Sequence, residues 1–278
     1  MFLAYLWNII QLTRRFLNRL FFTLVMKIIK IPVSAGWLKK TTGVEKGPDK
    51  IIKHLEDFWF SETGVLPVYS FDEVKAPTQK SVFEKIKPLN EFIALGGDHS
   101  MTYSVFKAFA SNHKNPGIIV FDAHPDLMPT TEPVNHENYL RSLIEHDVVK
   151  PKNVILAGIR NSDPDEIKFL KENKIKNFPM SLISEEGKEA ICDTIMSAAK
   201  NFDALYLSID LDAVDAAFAP GVAYPEVGGL TSRELLYFLH RLKKLKNLKA
   251  ADIVELNPDK DSNNITALLA AKLVVELC

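Results

Sequence analysis

The sequence predicts one α/β domain with three layers, α/β/α, in which a central, mostly parallel sheet is covered by helices. From Met26 onward, short apolar runs alternate with amphipathic stretches, a pattern typical of repeated strand and helix units. The runs are rich in Ile, Val, Leu and Phe and do not alternate strictly with polar residues, as expected for strands buried on both faces. No long linker, low-complexity tract or internal repeat divides the chain.

Six apolar runs are predicted to form the sheet. They lie at residues 27–32, 92–96, 117–121, 154–159, 204–209 and 251–256. Helices are expected between and after them, most clearly at 231–245 and 265–277, where Leu and Ala recur at spacings of three and four residues.

Composition limits the possible functions. The chain has 278 residues, 47% of them hydrophobic, which is enough to bury a sizeable core. A net charge of -1 gives no basic surface for phosphate backbones, so we expect a small-molecule substrate and no nucleic acid. Cys192 and Cys278 form neither a CxxC motif nor a zinc spacing, which indicates a reducing compartment and a cytoplasmic protein.

Residues 1–25 differ from the rest of the chain. They are dense in Leu, Phe, Ile and Trp, but Arg14, Arg15 and Arg19 interrupt them, so no apolar run approaches the roughly 20 residues that span a bilayer. No small-residue cleavage site follows. We predict that residues 1–25 are an upstream start-codon artefact or a poorly packed extension, and that the catalytic domain at 26–278 begins at Met26. The alternative is an interfacial amphipathic helix that contacts a membrane.

Three polar motifs follow predicted strands. Gly-Gly-Asp-His-Ser lies at 96–100, Asp-Ala-His-Pro-Asp at 122–126 and Asp-Leu-Asp at 210–212. In open parallel sheets, ligands bind beyond the carboxyl ends of the strands. Residues two apart on an extended chain point the same way, so Asp122, His124 and Asp126 can enter one cleft. The same spacing relates Asp210 and Asp212.

These residue types together favour metal-assisted hydrolysis. Any one motif alone could be a helix cap or a structural histidine, but four clustered carboxylates would repel each other unless cations were present. Oxygen-rich ligation with one or two imidazoles suits manganese better than zinc or calcium. Two such ions, about 3.5 to 4 Å apart, can lower the pKa of a shared water and direct it to an electrophilic carbon.

The motifs resemble those of the ureohydrolase family, which includes arginases, agmatinases and formimidoylglutamases. The similarity continues through Ser-Ile-Asp-Leu-Asp at 208–212, Pro220-Gly221, Gly-Gly-Leu-Thr at 228–231 and the segment 252–258. It implies an arginase-like fold and two Mn²⁺ ions per chain. It also implies hydrolysis of a guanidino or formimino C–N bond in a small amine or amino acid, with release of urea or a related product, and a homo-oligomer, either trimer or hexamer.

The resemblance also implies roles for individual residues. One manganese would be held by His99, Asp122, Asp126 and Asp210, and the other by Asp122, His124, Asp210 and Asp212, with Asp122 and Asp210 bridging.

Other residues would act on the substrate. Glu255 would face the substrate guanidinium, and His136 would move a proton to the leaving amine. Asp126 would also orient the attacking hydroxide. Asp98 is expected to support a ligand and not to bind metal, and Asp163 could recognise an amine.

Departures from the family pattern leave the substrate open. Segment 127–135 is shorter than the arginase loop that grips an α-carboxylate and is similar in length to that of agmatinases, whereas Asp163 lies in an arginase-like stretch. Glu137 follows His136 where a glycine is usual, and Ala216 stands where proline is frequent.

Two rival interpretations remain. One is a metal-dependent amide deacylase, for which one zinc and fewer acids would be expected. The other is a non-catalytic, metal-stabilised family member, which the presence of both His136 and Glu255 disfavours.

Overall fold

A computed structural model describes residues 25–34 and 42–278. These residues contain an eight-stranded sheet in the order β2-β1-β3-β8-β7-β4-β5-β6, and every neighbouring pair is parallel. The strands are β1 (Val25–Ile31), β2 (Val68–Glu73), β3 (Phe92–Gly96), β4 (Pro116–Phe121), β5 (Val154–Ala157), β6 (Lys176–Phe178), β7 (Ala204–Asp210) and β8 (Leu248–Val254). The predicted fold class is confirmed.

Two strands were missed by the sequence prediction, and both lie at the edges of the sheet. The edge strand β2 reads Val-Tyr-Ser-Phe-Asp-Glu and is partly exposed along its whole length. The opposite edge strand β6 has three residues, Lys-Asn-Phe. An edge strand need not be buried on both faces, so neither segment shows the continuous apolar run that marks the six inner strands.

Helices connect the strands of the described chain. They are α1 (Gly47–His54), α2 (Gln79–Ile86), α3 (Met101–Ala110), α4 (Tyr139–Glu145), α5 (Pro164–Glu172), α6 (Met180–Glu186), α7 (Lys188–Ala199), α8 (Ser232–Leu242) and α9 (Ile265–Leu277), with short 3-10 helices at Val44–Lys46, Leu55–Asp57, Pro151–Asn153 and Leu211–Ala213. The start of α8 is fixed by a capping box. The Thr231 hydroxyl accepts from Glu234 N at 3.1 Å, and the Glu234 carboxylate accepts from Thr231 N at 2.8 Å.

The helices cover both faces of the sheet, and alternate residues of each inner strand enter different cores. Ile28 packs in the core beneath α1, α7, α8 and α9, whereas its neighbour Ile29 packs in the core beneath α2, α3, α4 and α5. The same division separates Ile119 from Ile118 in β4. Burial on both faces therefore explains why the inner strands are apolar without alternation.

Strand order brings distant parts of the chain together. The four central strands run β3-β8-β7-β4, so β3 and β4, which are successive in the chain, are separated by two strands that come much later. Their carboxyl ends share one edge of the sheet, at the kind of switch point where open α/β sheets bind ligands. The three polar motifs and Glu255 follow these four strands.

None of the helices within the described ranges is both long and apolar enough to cross a bilayer. Residues 1–24, including the three arginines of the predicted extension, lie outside those ranges. The first described residue, Val25, is half exposed at the start of β1.

We predict that protein starting at Met26 folds with a melting temperature within a few degrees of the full chain, because only exposed Val25 is lost from the described sheet. Protein starting at Pro32 is the control. It lacks β1 and with it Ile28, Ile29 and Ile31, all fully buried. Each buried isoleucine contributes about 2 to 5 kcal/mol, which together is comparable with the stability of about 5 to 15 kcal/mol of a whole domain.

Circular dichroism melts of the three proteins provide the measurement. Insoluble protein from the Met26 start, beside a well-behaved full chain, would show that residues 1–25 belong to the core or to an oligomer interface.

Candidate metal centre

His99, which follows β3, is held in one orientation by a hydrogen bond from its distal nitrogen, Nε2. Its Nε2 lies 2.9 Å from Ser208 Oγ, and the Ser208 hydroxyl donates to Asp252 Oδ1 at 2.6 Å. Because Ser208 gives its proton to Asp252, its oxygen accepts from His99 Nε2–H. In the neutral ring this leaves a lone pair on Nδ1. The orientation is that of a metal ligand with a fixed tautomer.

A buried carboxylate anchors this chain of hydrogen bonds. Asp252, in β8, is fully buried and also accepts from Tyr206 Oη at 2.7 Å and from Thr102 Oγ1 at 2.8 Å. Three hydroxyl groups from β7 and α3 thus fix Asp252, and through Ser208 it fixes His99. Sequence reasoning missed this support, since Ser208 and Asp252 were noted only as parts of motifs.

Carboxylates surround the free nitrogen of His99. Its Nδ1 lies 3.1 Å from Asp122 Oδ2, 3.2 Å from Asp210 Oδ2 and 3.3 Å from Asp126 Oδ2. His99 Nδ1 and Asp122 Oδ2 are both enclosed, and neither has a hydrogen-bond partner in the described chain. His99, Asp122 and Asp210 offer ligand atoms within 4.8 Å of one another, a group able to hold a metal ion.

A second group of the same kind shares Asp122. Asp122, His124 and Asp212 offer ligand atoms within 4.8 Å of one another. His124 Nδ1 lies 3.0 Å from Asp212 Oδ2 and 3.5 Å from Asp122 Oδ1. The other ring nitrogen of His124 faces Glu226 Oε1 at 3.3 Å. Glu226 was not predicted, because it lies in a loop between two motifs and 102 positions from His124 in sequence.

Turns, and not strand alternation, bring these carboxylates together. The chain leaves β4 at Phe121, and Asp122 Oδ1 then accepts from His124 N at 2.7 Å. Asp210 Oδ1 accepts from Asp212 N at 2.8 Å in the same way. Each first aspartate therefore uses one oxygen to close a local turn and keeps Oδ2 for the cluster.

The charges of the cluster require compensation. Burial raises the pKa of Asp126 well above its usual range, and repulsion from Asp122 raises it further. Burial raises the pKa of Asp210 similarly, with added repulsion from Asp212. Without a cation, carboxyl groups in such a site keep protons, whereas divalent cations favour their ionised forms. The oxygen-rich donors and the unpartnered His99 Nδ1 and Asp122 Oδ2 fit a pair of divalent ions.

Glu255 reaches this cluster from the end of β8. Its Oε1 accepts from His99 N at 2.8 Å, and its buried Oε2 has no hydrogen-bond partner within the described ranges. Its φ of 69° lies in the left-handed region, a costly conformation that tends to persist at functional sites. Asp98 lies close by, but it belongs to neither metal group, and its Oδ1 accepts from the Ser100 backbone and hydroxyl.

A cavity of about 210 Å³ opens beside the cluster. Its lining side chains belong to His124, Asp126, Met128, His136, Glu137, Asp163, Glu166 and Tyr224. His136 is 7% exposed, and neither ring nitrogen has a hydrogen-bond partner in the described structure. Burial lowers the pKa of His136, so its ring is neutral near pH 7. Asp163 caps α5, accepting from Asp165 N at 2.9 Å.

The structure thus brings together every residue that the sequence nominated for the site. His99, Asp122, His124, Asp210 and Asp212 make up the two groups that could hold a metal, and Asp126 lies 3.3 Å from His99 Nδ1. Glu255 contacts His99, and His136 and Asp163 line the cavity. Tyr224 was missed, although its ring centroid lies 5.9 Å from that of His136. It follows the Pro-Gly motif, and only the fold places it at the cavity.

Fold and site together define an enzyme with an α/β/α fold and a metal-binding site. The model of the arginase family matches residues 26–278. The chain is 35% identical over 246 residues to an arginase from Staphylococcus aureus (strain MSSA476), covering 83% of this chain and 82% of the relative. It is 31% identical over 287 residues to an arginase from Brevibacillus brevis, covering 90% and 96%.

Solved structures agree. An arginase from Bacillus subtilis superposes with a TM-score of 0.79 at 27% identity, over 91% of this chain and 98% of that one. A formimidoylglutamase from Bacillus subtilis gives a TM-score of 0.85 over 92% and 86% at 23% identity, which shows the fold alone. This chain belongs to the arginase family, as its motifs predicted. It is a ureohydrolase, an enzyme for linear amidine C–N bonds.

We expect Ser208→Ala to weaken metal binding about 10- to 100-fold, because His99 Nε2 loses the acceptor that fixes its tautomer and ring orientation. Thr102→Val is the matched control. It removes a buried hydroxyl from the same Asp252 carboxylate but leaves the Ser208 bond to His99 in place.

Both variants should lose about 1 to 3 kcal/mol of stability. Mn²⁺ titration followed by calorimetry, with thermal melts of the metal-free proteins, separates the two effects. Equal metal affinities for the two variants would contradict the positioning role of Ser208.

Proposed function

We propose that this chain is a dinuclear manganese ureohydrolase, arginase- or agmatinase-like, that cleaves a guanidino or formimino C–N bond of a small amine or amino acid. The observation that carries the proposal is the sharing of Asp122 by two His and Asp groups, each with ligand atoms within 4.8 Å of one another. Two adjacent cation sites with a common carboxylate suit a hydrolase that activates water.

The metal ligands are proposed from the same geometry. His99, Asp122, Asp126 and Asp210 hold one ion, and Asp122, His124, Asp210 and Asp212 hold the other. Asp122 as a bridge is supported by its place in both groups, and Asp126 by its 3.3 Å approach to His99 Nδ1. Asp210 stands in the first group, and its bridging role rests on the family resemblance. When bound, the two ions supply the positive charge that lowers the pKa of a water and makes it nucleophilic.

Glu255 positions the substrate. Its unpartnered Oε2 is buried beside the metal cluster, while Oε1 is held by His99 N at 2.8 Å. A planar guanidinium can satisfy this oxygen with a charge-assisted hydrogen bond. Burial raises the pKa of Glu255, with repulsion from Asp98 as a further cause, so a bound cation is what favours its ionised form.

His136 handles the proton. Its neutral ring can take a proton in the cavity and deliver it to the nitrogen that leaves as an amine. Asp126 lines the same cavity and can accept a hydrogen bond from the attacking water, fixing the direction of its lone pair. Asp163, at the rim, can accept from an amino group at the far end of the substrate.

The proposal includes an assembly and a cellular location. We propose a homo-oligomer, trimer or hexamer, because the family resemblance implies one. A reducing compartment such as the cytoplasm fits the two cysteines, which are both unpaired.

We predict two Mn²⁺ per chain, and loss of at least one in Asp210→Ala, since Asp210 Oδ2 stands in the His99 group. Asp98→Asn is the control, because Asp98 stands in neither group, and it should keep both ions. Elemental analysis of protein dialysed against trace Mn²⁺ decides the point. One zinc per chain in the wild type would instead support the deacylase interpretation.

Glu255→Gln and His136→Asn should differ in their kinetics. In Glu255→Gln the amide oxygen can still accept from His99 N, but the amide turns an N–H donor towards the guanidinium. A charge-assisted partner contributes about 1.5 to 3 kcal/mol, so kcat/KM should fall about 10- to 100-fold with both metals retained.

His136→Asn should lower kcat about 100-fold with little change in KM, the scale of a lost general acid. Urea or ammonia release across a panel of guanidino and formimino compounds, with Mn²⁺-loaded protein, measures both variants. An unchanged kcat in His136→Asn at every pH would mean that another group or bulk water moves the proton. No product from any compound in the wild type would favour a non-catalytic family member.

A further inference from the structure

The substrate cavity is strongly acidic. Four of its eight lining residues are carboxylic acids, namely Asp126, Glu137, Asp163 and Glu166, and none is lysine or arginine. A substrate tail that carries a carboxylate would enter this space without a lysine or arginine side chain to pair with it. The charge of the cavity should therefore discriminate between guanidino compounds by the charge at the end remote from the guanidinium.

Two of the four acids are occupied by the protein itself. Glu166 accepts from Leu127 N with Oε1 and from Asp163 N with Oε2, each at 2.9 Å. Asp126 faces the metal cluster, 3.3 Å from His99 Nδ1. Glu137 and Asp163 remain available to a ligand, although one oxygen of Asp163 already accepts a hydrogen bond from Asp165 N at the start of α5.

Glu137 is held in place by its backbone and not by its carboxylate. Its N–H donates to Asn135 Oδ1 at 2.9 Å, and its carbonyl accepts from Met128 N at 3.0 Å. Within the part of the chain that the structure describes, the carboxylate makes no hydrogen bond or ion pair. It lies close enough to Tyr224 to add to the effect of burial, which raises the pKa of that hydroxyl. Glu137 thus lines the cavity with a partly buried carboxylate on a backbone that is held in place.

Resting on the proposed function, we propose that Glu137 is a specificity-determining residue that selects guanidino compounds with a positively charged tail and no carboxylate. The ammonium of such a tail replaces water at Glu137, whereas a tail carboxylate is repelled by both Glu137 and Asp163. An amino-acid tail carries both charges, so the attraction of its ammonium to Glu137 is offset by the repulsion of its carboxylate. The short segment 127–135 contains no cationic side chain that could pair with the tail carboxylate.

The test compares guanidino compounds that differ in the charge of their tail. Agmatine carries an ammonium, butylguanidine a neutral methyl group, 4-guanidinobutyrate a carboxylate, and arginine both charges. In the wild type, kcat/KM should fall from agmatine through butylguanidine to 4-guanidinobutyrate, with arginine below agmatine. In Glu137→Gln, the ratio of kcat/KM for agmatine to that for 4-guanidinobutyrate should fall about 10-fold or more, the scale of one charge-assisted contact.

Because both values come from the same protein, the ratio cancels any loss of active enzyme. Glu132→Gln is the matched control, since it removes an equal charge from an exposed position in the same loop and does not line the cavity. Its ratio should equal that of the wild type. An unchanged ratio in Glu137→Gln, or a wild-type preference for arginine or 4-guanidinobutyrate, would overturn the inference and leave the proposed function standing.

Binding supplies a measurement that does not need turnover. Calorimetry should show 1,4-diaminobutane binding to the wild type about 10-fold or more tightly than to Glu137→Gln, with no binding of 4-aminobutyrate. If that difference is found while no guanidino compound is hydrolysed, the proposed reaction fails and the charge selection by Glu137 holds. Equal affinities of the two proteins for the diamine would refute the selection itself.

Discussion

The site depends on one constraint, which is that carboxylates enclosed together at the carboxyl ends of the central strands repel one another and must be compensated. Asp122, Asp126 and Asp210 all approach His99 Nδ1 within 3.3 Å, and all are buried. Burial and mutual repulsion raise the pKa of Asp126 and of Asp210, and bound cations would favour the ionised forms of both carboxyl groups. Burying these carboxylates therefore lowers the stability of the metal-free protein, and binding of metal ions would restore it.

A second constraint is that the ligands must be rigid before the ions arrive. The protein meets it with turns, hydroxyl groups and carboxylates that lie next to the proposed ligands. Local turns fix the free oxygens of Asp122 and Asp210, and a buried carboxylate with three hydroxyl donors fixes His99 through Ser208. Glu226 stands beside the outer nitrogen of His124. Each ligand therefore has an assigned direction, which limits the geometry that a bound ion can adopt.

The substrate side of the site follows a different principle. There, polar atoms are left without protein partners so that a ligand can supply them. Glu255 Oε2 and both nitrogens of His136 are buried and unpartnered in the described chain. A buried polar atom without a partner carries a free-energy cost that binding can remove. Glu137 lines the same cavity, and its carboxylate is likewise left for the ligand, in this case for the substrate tail.

The sequence alone determined the fold class and pointed to the residues of the two His and Asp groups that could hold a metal ion, because the inner strands and the motifs that follow them are local signals. Tertiary structure decided what depends on contacts between distant segments. Edge strands β2 and β6 lack double-sided burial and so left no apolar run. His99 lies 109 positions from Ser208, Ser208 lies 44 from Asp252, and His124 lies 102 from Glu226. No local pattern records such pairs, since they arise only when the strand order sets β3, β8, β7 and β4 side by side.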